Sequence, residues 1–383
     1  MKKTAFKLHS WLAMSAIIPL LIISFTGSIL VFKKEIDALL MPNSATLSVQ
    51  SFTQNSTSEH LLTSRQSLNS LHNTVKHAFP EYHLASWELF DNHTDPDIVY
   101  LVKNNTFDFY KIFLNPYQGT ILSEPVSLTH YLTDWLLELH YTFLAEEIGA
   151  VIGAAYAMIL IILGITGIIM HSRFYKTLFT LRLKRAKKVL FSDIHKFIGI
   201  VASPVLLILG LTGAYWNVAG VIHDLEEHEH HHKYVMNTPR YNHNLSLDAL
   251  VENAQSRVQG LTVTYLSLAY EPGKQIGLYG RVPTSNPLLS DYGSGAQYHR
   301  QTGSFISLWD IRQRNAIPKI LDSFRALHYG TFGGLITRII WCALGAAPII
   351  LGITGSYLWL ARRARKRKAK HQRKQINLQQ QSV

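Results

Sequence analysis

The chain has 383 residues, with 37 Lys and Arg against 25 Asp and Glu, a formal net charge of +12. Charged residues make up only 16% of it, well below the ~25% usual in soluble domains, which argues against a cytosolic globular enzyme. The single cysteine, Cys342, excludes an intrachain disulfide framework and any cysteine-based zinc or iron–sulfur site.

The apolar residues are bunched into four uncharged stretches. Each stretch reaches or exceeds the ~20 residues that a membrane-spanning helix needs, so the sequence predicts a polytopic membrane protein with four spans. The four stretches are Trp11–Phe32, Ile148–Met170, Phe197–Ile222 and Ile339–Ala361.

The positive charges predict the orientation of these spans. Lys and Arg crowd at the N-terminus, between the second and third spans and in the tail after the fourth, with Asp193 as the one acid among them. Because cytoplasmic loops carry such an excess, we expect both termini in the cytoplasm and the two long segments outside, which in a bacterium is the periplasm. The net charge then reflects membrane topology and contact with the lipid bilayer, and we expect no nucleic-acid partner.

This topology divides the chain into eight parts. The predicted parts are 1–33 (cytoplasmic N-terminus and first span), 34–146 (first periplasmic domain), 147–171 (second span), 172–194 (cytoplasmic basic loop), 195–222 (third span), 223–337 (second periplasmic domain), 338–361 (fourth span) and 362–383 (cytoplasmic basic tail).

A repeat relates the two halves of the chain. In the first and third spans a histidine, His9 or His195, precedes a Thr-Gly pair by 17 residues. Before the second and fourth spans a histidine, His140 or His328, precedes the threonine of Gly-Ile-Thr-Gly by 26 residues. Two spacings reproduced without a gap indicate an internally duplicated unit of span, outside domain and span. We interpret the Thr-Gly pairs themselves as helix-packing or kink sites.

The outside segments repeat as well. Residues Ser67–Phe79 and Ser246–Val258 have helical periodicity, and Ser246 is a suitable N-cap. In each segment the helix is followed by short strand-like runs whose last hairpin turns on a glycine. The fold class expected is therefore α+β, a four-helix transmembrane bundle with two small extracytoplasmic domains, each a helix plus an antiparallel sheet.

These features resemble the PepSY-associated transmembrane family. The His…Thr-Gly spans, the helix-plus-sheet domains and the turn from Asn115 to Gly119 carry the resemblance, which runs from His9 to Arg363. The four-span layout resembles that of the ferrioxamine-type siderophore-iron reductases within the family. The resemblance implies haem b bound among the helices and electron delivery to an iron chelate in the periplasm.

The repeated histidines fit this implication. His9 and His195 begin spans at the cytoplasmic face, whereas His140 and His328 precede spans at the outer face. One histidine pair in each leaflet, each from two helices, is what bis-histidine ligation of two haems needs. His171, at the end of the second span, is an alternative ligand for the inner haem.

Other candidate site residues are less specific. Arg325 and Arg338 lie near His328 in sequence and are candidate partners for haem propionates, although each also suits an ordinary membrane-interface role. A run of acids and histidines follows the third span, and its composition suits Zn, Cu, Ni or ferric iron unless it is merely solvated. Its candidate metal ligands are His228, His230, His231 and His232.

The function expected from these patterns is an oxidoreductase of the bacterial inner membrane. Two haems would relay electrons from a cytoplasmic or membrane donor, a quinol or a flavoprotein, to a ferric siderophore in the periplasm. Reduction releases the iron because Fe(II) binds hard oxygen ligands more weakly. Two alternatives stay open: a non-enzymatic regulator or inhibitor that binds a periplasmic protease or peptide, and a dihaem membrane subunit of another reductase.

Overall fold

The computed structural model describes residues 2–47, 64–171, 182, 186–229 and 235–381, with the backbone alone at residues 224 and 226–229. The described α-helices are, in chain order, α1 (Lys2–Ser15), α2 (Ile17–Leu30), α3 (Lys33–Leu40), α4 (Leu68–Ala78), α5 (Leu132–Tyr141), α6 (Glu146–Met170), α7 (Lys187–Glu229), α8 (Leu247–Arg257), α9 (Ala316–Tyr329), α10 (Gly334–Gly345) and α11 (Ala347–Gln381). The described strands are β1 (Tyr82–Glu88), β2 (Asp97–Lys103), β3 (Phe109–Asn115), β4 (Thr120–Ile121), β5 (Val126–Ser127), β6 (Thr262–Leu268), β7 (Ile276–Arg281), β8 (Ser294–Tyr298) and β9 (Phe305–Trp309).

These elements form two compact units. The first contains residues 1–31, 137–221 and 328–383, and the second contains residues 32–136 and 222–327. The first unit contains the apolar helices, and the second unit contains the whole described sheet.

Three stretches of the described chain are long and apolar enough to span a membrane: Glu146–Met170, Lys187–His223 and Thr331–Gln380. The pair α1 and α2 makes a fourth candidate, but the two helices are bent by 70° at Ala16. The sequence predicts a single membrane-spanning helix over Trp11–Phe32. Pro19 explains the difference, because its ring clashes with the carbonyl four residues earlier, that of Ser15, and interrupts the helix there.

Pro204 lies at nearly the same place in the third span, one residue closer to its histidine than Pro19, yet α7 continues through it. The carbonyl that Pro204 leaves without its helical partner is that of Ile200. The Ser203 hydroxyl donates a hydrogen bond to this carbonyl, with an Oγ–O distance of 2.9 Å. A local hydroxyl therefore replaces the lost amide donor, and the helix stays intact.

The second unit is built on one antiparallel sheet, not on two. Its strand order is β4-β3-β2-β1-β6-β7-β8-β9, with β5 also paired to β3. Strands β1 and β6, from the two outside segments, pair at its centre, with Trp87 opposite Leu266. The two separate small domains expected at 34–146 and 223–337 are thus a single unit, because each half offers an edge strand that the other completes.

Helices α4 and α8 cover one face of this sheet. Leu71 and Leu250 pack with Trp87, Leu266 and other buried side chains in one apolar core that draws on both outside segments. Burial of such side chains supplies most of the folding free energy of a unit of this kind.

The N-termini of α4 and α8 cap each other. Asp248 accepts hydrogen bonds from the backbone amides of Leu68 and Asn69, at 2.7 and 3.0 Å, and the side chain of Asn69 accepts from the amide of Leu247 at 2.7 Å. Amide groups at a helix start lack intrahelical acceptors, so this exchange satisfies both ends at once. Ser246 is the N-cap of α8, as the sequence predicts, and accepts from the amide of Ala249.

Buried ion pairs link α3, α5 and β3 within the second unit. Asp134, 6% exposed, pairs with Lys111 at 2.5 Å and with Lys33 at 2.9 Å. Lys33 also pairs with Asp37 at 2.6 Å. Each of these charges therefore has a partner of opposite sign. The ion pairs connect α3, which follows the first span, and α5, which precedes the second, to strand β3 of the sheet.

Candidate functional site

The structure brings the four repeated histidines together as two pairs. The rings of His9 and His195 have centroids 6.4 Å apart with an interplanar angle of 82°. The rings of His140 and His328 have centroids 6.3 Å apart with an angle of 70°. All four residues belong to the first unit. In each pair one histidine comes from the first half of the chain and one from the second.

A threonine of a Thr-Gly pair holds each histidine through the ring nitrogen Nδ1. All four threonines are buried. The Nδ1–Oγ1 distances are 2.9 Å for His9 and Thr166, 3.0 Å for His140 and Thr26, 2.9 Å for His195 and Thr354, and 2.7 Å for His328 and Thr212. We call each Thr-Gly pair a histidine seat. Each threonine and the histidine that it holds belong to the same half of the chain, whereas the two histidines of a pair come from different halves.

The seats determine which ring nitrogen carries the proton. Each threonine hydroxyl donates its one proton to the backbone carbonyl four residues earlier, at 2.7 or 2.8 Å. The hydroxyl oxygen can then only accept, so the imidazole Nδ1 is the donor. For His140 a second contact agrees, since its Nδ1 also lies 3.0 Å from the carbonyl oxygen of Ile23. The neutral ring therefore keeps the lone pair on Nε2 for a metal ion.

The glycine of each seat gives the imidazole room. A Cβ atom at Gly27 would lie 2.6 Å from Cε1 of His140, and one at Gly355 would lie 3.2 Å from Cε1 of His195. At Gly213 and Gly167 the corresponding distances, to His328 and His9, are 3.6 and 3.9 Å. The Thr-Gly pairs therefore serve the histidines, a role that the packing interpretation of the sequence missed. The signal for it was the recurrence of the spacings of 17 and 26 residues.

The spacing of the rings fits a shared metal ion. An imidazole nitrogen binds a metal at about 2 Å, so two rings on opposite sides of one metal have centres about 6 Å apart. Both observed separations, 6.4 and 6.3 Å, meet this requirement. Paired neutral imidazoles with free Nε2 atoms are the donor set of a six-coordinate haem iron, so the residues present fit that group.

A cavity of about 470 Å³ adjoins the inner pair, His9 and His195. A smaller cavity of about 120 Å³ lies beside it, and its mostly apolar lining includes Gly164, Gly167, Gly199 and Gly352. The larger cavity is also lined by four cations, which suit the propionates of a haem. These cations are Lys2, Lys188, Lys196 and Arg362.

His171 lies in the lining of both cavities, beside the inner pair. Its backbone amide donates to the carbonyls of Gly167 and Ile168 at the end of α6. The ring contact of the inner pair, however, joins His9 to His195. His171 thus adjoins the pair, and its role as an alternative ligand stays a prediction.

Around the other pair, His140 and His328, which we call the outer pair, Trp216 packs on His328 with ring centroids 5.0 Å apart. The Arg338 guanidinium donates to the carbonyl of Val31, at 3.2 Å from Nε and 2.6 Å from Nη2. In the second unit the Arg325 guanidinium lies over the ring of Tyr292, 4.4 Å from its centroid. Whether either arginine holds a propionate stays a prediction.

The predicted metal cluster after the third span falls largely outside the described residues. The side chain of His228 and all of His230, His231 and His232 lie outside them. Within the part of the chain that the structure describes, no group of three or more His, Cys, Asp or Glu residues is arranged to hold a metal ion.

Comparison with known proteins gives one relative and one family. An uncharacterized protein of Pseudomonas aeruginosa is 24% identical over 254 residues, which cover 60% of this chain and 64% of that protein. The aligned part thus spans less than two thirds of this relative. The family model for the PepSY-associated TM region matches residues 6–362, nearly the whole chain. With its His…Thr-Gly helices and its helix-covered sheet, the chain belongs to the PepSY-associated transmembrane family.

Proposed function

We propose that this protein is a dihaem reductase of the bacterial inner membrane that passes electrons to a ferric siderophore in the periplasm. The observation that carries the proposal is the two histidine pairs, each formed by two imidazoles that hydrogen bonds to threonine hold with Nε2 free. Hydrogen bonds of this kind are what orient metal-bound histidines in general.

His9 and His195 would hold one haem b, and His140 and His328 would hold the other. When bound, haem supplies one-electron redox chemistry, which suits reduction of ferric iron. The threonine hydroxyls keep each imidazole in its neutral, ligating tautomer. The cations around the inner cavity, Lys196 and Arg362 among them, compensate propionate charge.

The topology of the proposal rests on charge. The basic loop and tail favour a cytoplasmic side that carries the inner pair, and the sheet unit then lies in the periplasm. One histidine pair in each leaflet divides the ~30 Å of the apolar core into shorter distances. The electron donor in this scheme is a quinol or a flavoprotein on the cytoplasmic side.

Internal duplication of a four-span bundle is also part of the proposal. The four seats support it, since equivalent seats recur at the same spacings in the two halves. The sheet supports it as well, because β1 and β6 each follow a serine-capped helix and each contain a bulge, after Leu84 and after Val263.

The first test is a pyridine haemochrome assay on the purified protein. We expect two b-type haems per chain, released without covalent attachment because the single Cys342 forms no Cys-x-x-Cys-His motif. One haem or none would contradict the two-site proposal. A regulator that binds a protease or peptide predicts no Soret band at all, and a subunit of another reductase predicts haem without chelate reduction.

The second test separates the two pairs by mutation. In His328→Ala, dithionite-reduced protein should no longer reduce a ferric siderophore, because the outer pair has lost one ligand. In His195→Ala, the outer pair is intact, so reduction from dithionite should persist while supply from the cytoplasmic donor fails. Anaerobic mixing followed at the haem bands measures both. Full chelate reduction by folded His328→Ala protein would remove the outer pair as the exit site.

A further inference from the structure

The face of the sheet that α4 and α8 leave uncovered carries a cavity of about 390 Å³. Neighbouring residues of a strand point to opposite faces of the sheet, and the core residues Trp87, Leu266 and Leu278 point to the face that the helices cover. Their neighbours Glu88, Tyr265 and Tyr279 therefore point to the other face. Glu88 is paired with Tyr265 across β1 and β6, and Tyr265 with Tyr279 across β6 and β7. The cavity thus lies where the two halves of the sheet join, and its volume is that of a typical small-molecule site.

Aromatic rings form its walls. Tyr265 lies between Tyr279 and Tyr292, with ring centroids 6.0 and 6.1 Å away. Tyr279 in turn packs on Trp309 at 5.2 Å. A Cβ atom at Gly277 would lie 2.8 Å from the Tyr279 ring, so this glycine lets the ring lie flat against its strand. We call the space lined by Glu88, Tyr265, Tyr279, Tyr292, Gln297 and Arg325 the tyrosine cavity.

The polar groups of the tyrosine cavity are mainly hydrogen-bond donors. Burial raises the pKa of Tyr265 and Tyr279, and it raises the pKa of Tyr292 to about 12, so these hydroxyls stay protonated. Burial also raises the pKa of Glu88 above its ordinary value, which disfavours its charged form. Arg325 adds a fixed cation at the Tyr292 ring. A ligand rich in acceptor oxygens satisfies such a lining.

A second carboxylate, that of Glu271, also lines the tyrosine cavity, and it already has neighbouring partners. Glu271 lies 3.6 Å from Lys274 and 3.9 Å from His223. An amine ligand needs an ionised carboxylate that is free to pair with it, whereas Glu271 already lies beside Lys274 and burial disfavours the charged form of Glu88. The lining therefore favours a neutral or anionic oxygen-rich molecule over an organic cation.

We propose that the tyrosine cavity binds the ferric chelate, with tyrosine hydroxyls and Arg325 donating to the oxygen atoms of the chelate and the aromatic rings packing on its organic scaffold. This inference rests on the proposed function for the identity of the ligand. Fe(III) prefers hard oxygen donors, and the oxygens around it carry the negative charge that these donors meet.

The test measures binding apart from electron transfer. Gallium(III) has the charge and nearly the size of iron(III) but is not reduced by the haems, so a gallium trihydroxamate chelate is the probe. Isothermal titration calorimetry on the full holoprotein should give saturable binding. Tyr265→Phe and Tyr279→Phe should each weaken it about 3- to 10-fold, the cost of one lost hydrogen bond. Tyr110→Phe, which removes a hydroxyl from the same sheet outside the cavity, is the matched control and should leave the Kd unchanged.

The outcomes separate this inference from the proposed function. A double Tyr265→Phe, Tyr279→Phe variant with the wild-type Kd would overturn the assignment of the cavity. So would wild-type protein that reduces the ferric chelate but does not bind the gallium chelate, and the reductase would then stand with its acceptor bound elsewhere. Gallium-chelate binding that depends on the two tyrosines in protein without haem would support the cavity and remove the reductase.

Discussion

Each of the paired imidazoles lies against a threonine hydroxyl. This hydroxyl has one hydrogen to donate, and it donates it in a hydrogen bond to the helix carbonyl four residues earlier. The threonine oxygen is thereby left as an acceptor, and the histidine has to donate from Nδ1. This arrangement repeats at Thr26, Thr166, Thr212 and Thr354. Nε2 is left free in every case, which is the state that the proposed haem ligation needs.

The role of the seats predicts the effect of Thr212→Val. Valine has the shape of threonine without its oxygen, so His328 loses the partner 2.7 Å away that orients it. We expect haem affinity at the outer pair to fall about 10- to 100-fold, the usual cost of losing the partner of a metal-bound histidine. Haem transfer to apomyoglobin, followed at the Soret band, measures it.

Two further variants serve as controls for this prediction. Thr212→Ser restores the hydroxyl and should restore retention of the haem. Thr74→Val removes a threonine of α4 that also donates to the carbonyl four residues earlier but holds no histidine ring, and it should have no effect on haem retention. Equal haem loss from the serine and valine variants would mean that Thr212 acts by its shape alone.

At the scale of the elements, α4 is held to the segment before α8 by aromatic and imidazole contacts. His72 of α4 is 4% exposed and shares a hydrogen bond of 2.7 Å with the Tyr241 hydroxyl. His243 packs on both, with ring centroids 5.5 Å from His72 and 4.6 Å from Tyr241. Because these residues come from the two outside segments, they help to hold the single sheet unit together.

This contact predicts a loss of stability in acid. Burial lowers the pKa of His72 to about 4, whereas in the unfolded chain the pKa is near 6.5. Between these values the unfolded chain binds a proton that the folded chain does not, so stability falls as the pH decreases from about 6.5 towards 4. At pH 5 the loss from His72 is about 2 kcal/mol.

Thermal unfolding of the purified protein at pH 7 and pH 5 tests this. His72→Gln should reduce the difference in Tm between the two pH values by several degrees. His77→Gln, at an exposed position of the same helix, should leave the difference as in the wild type. An unchanged difference in His72→Gln would show that the proton is taken up elsewhere.

At the scale of the whole molecule, each half of the chain is incomplete alone. The seats are made within a half, as between His9 and Thr166, but each histidine pair takes one ring from each half. The sheet likewise needs both halves, since β1 pairs with β6. A single half therefore has four open requirements: two unpaired imidazoles, an exposed strand edge and a helix start without the side-chain acceptor that the other half supplies.

The topology of the molecule gives its own prediction. The basic loop and tail predict that both termini lie in the cytoplasm, so a reporter fused after Val383 should be active there. A reporter inserted near Asn92 or at the exposed Ser285 should be outside. Paired alkaline-phosphatase and fluorescent-protein fusions measure both sides, and the reverse pattern would exchange the inner and outer histidine pairs.

Local patterns along the chain predict the elements, and the histidine spacings can be read directly from them. Apolar stretches identified the candidate spans, helical periodicity located α4 and α8, Ser246 was predicted as the N-cap of α8, and strand-like runs were expected after each of these helices. These signals are local, so a single sequence carries them. The histidine spacings also singled out the residues that form the two pairs.

Which elements contact one another is visible only in the folded molecule. A two-residue period of apolar side chains indicates a strand but does not show which neighbouring strand it pairs with. The sequence analysis therefore missed that the segments 34–146 and 223–337 form one sheet. The seats were missed for a similar reason, because a threonine next to a glycine in an apolar helix suits packing equally well. Contacts between residues more than 100 positions apart, such as Thr26 with His140 and Thr212 with His328, depend on how whole helices pack, and no local pattern carries that information.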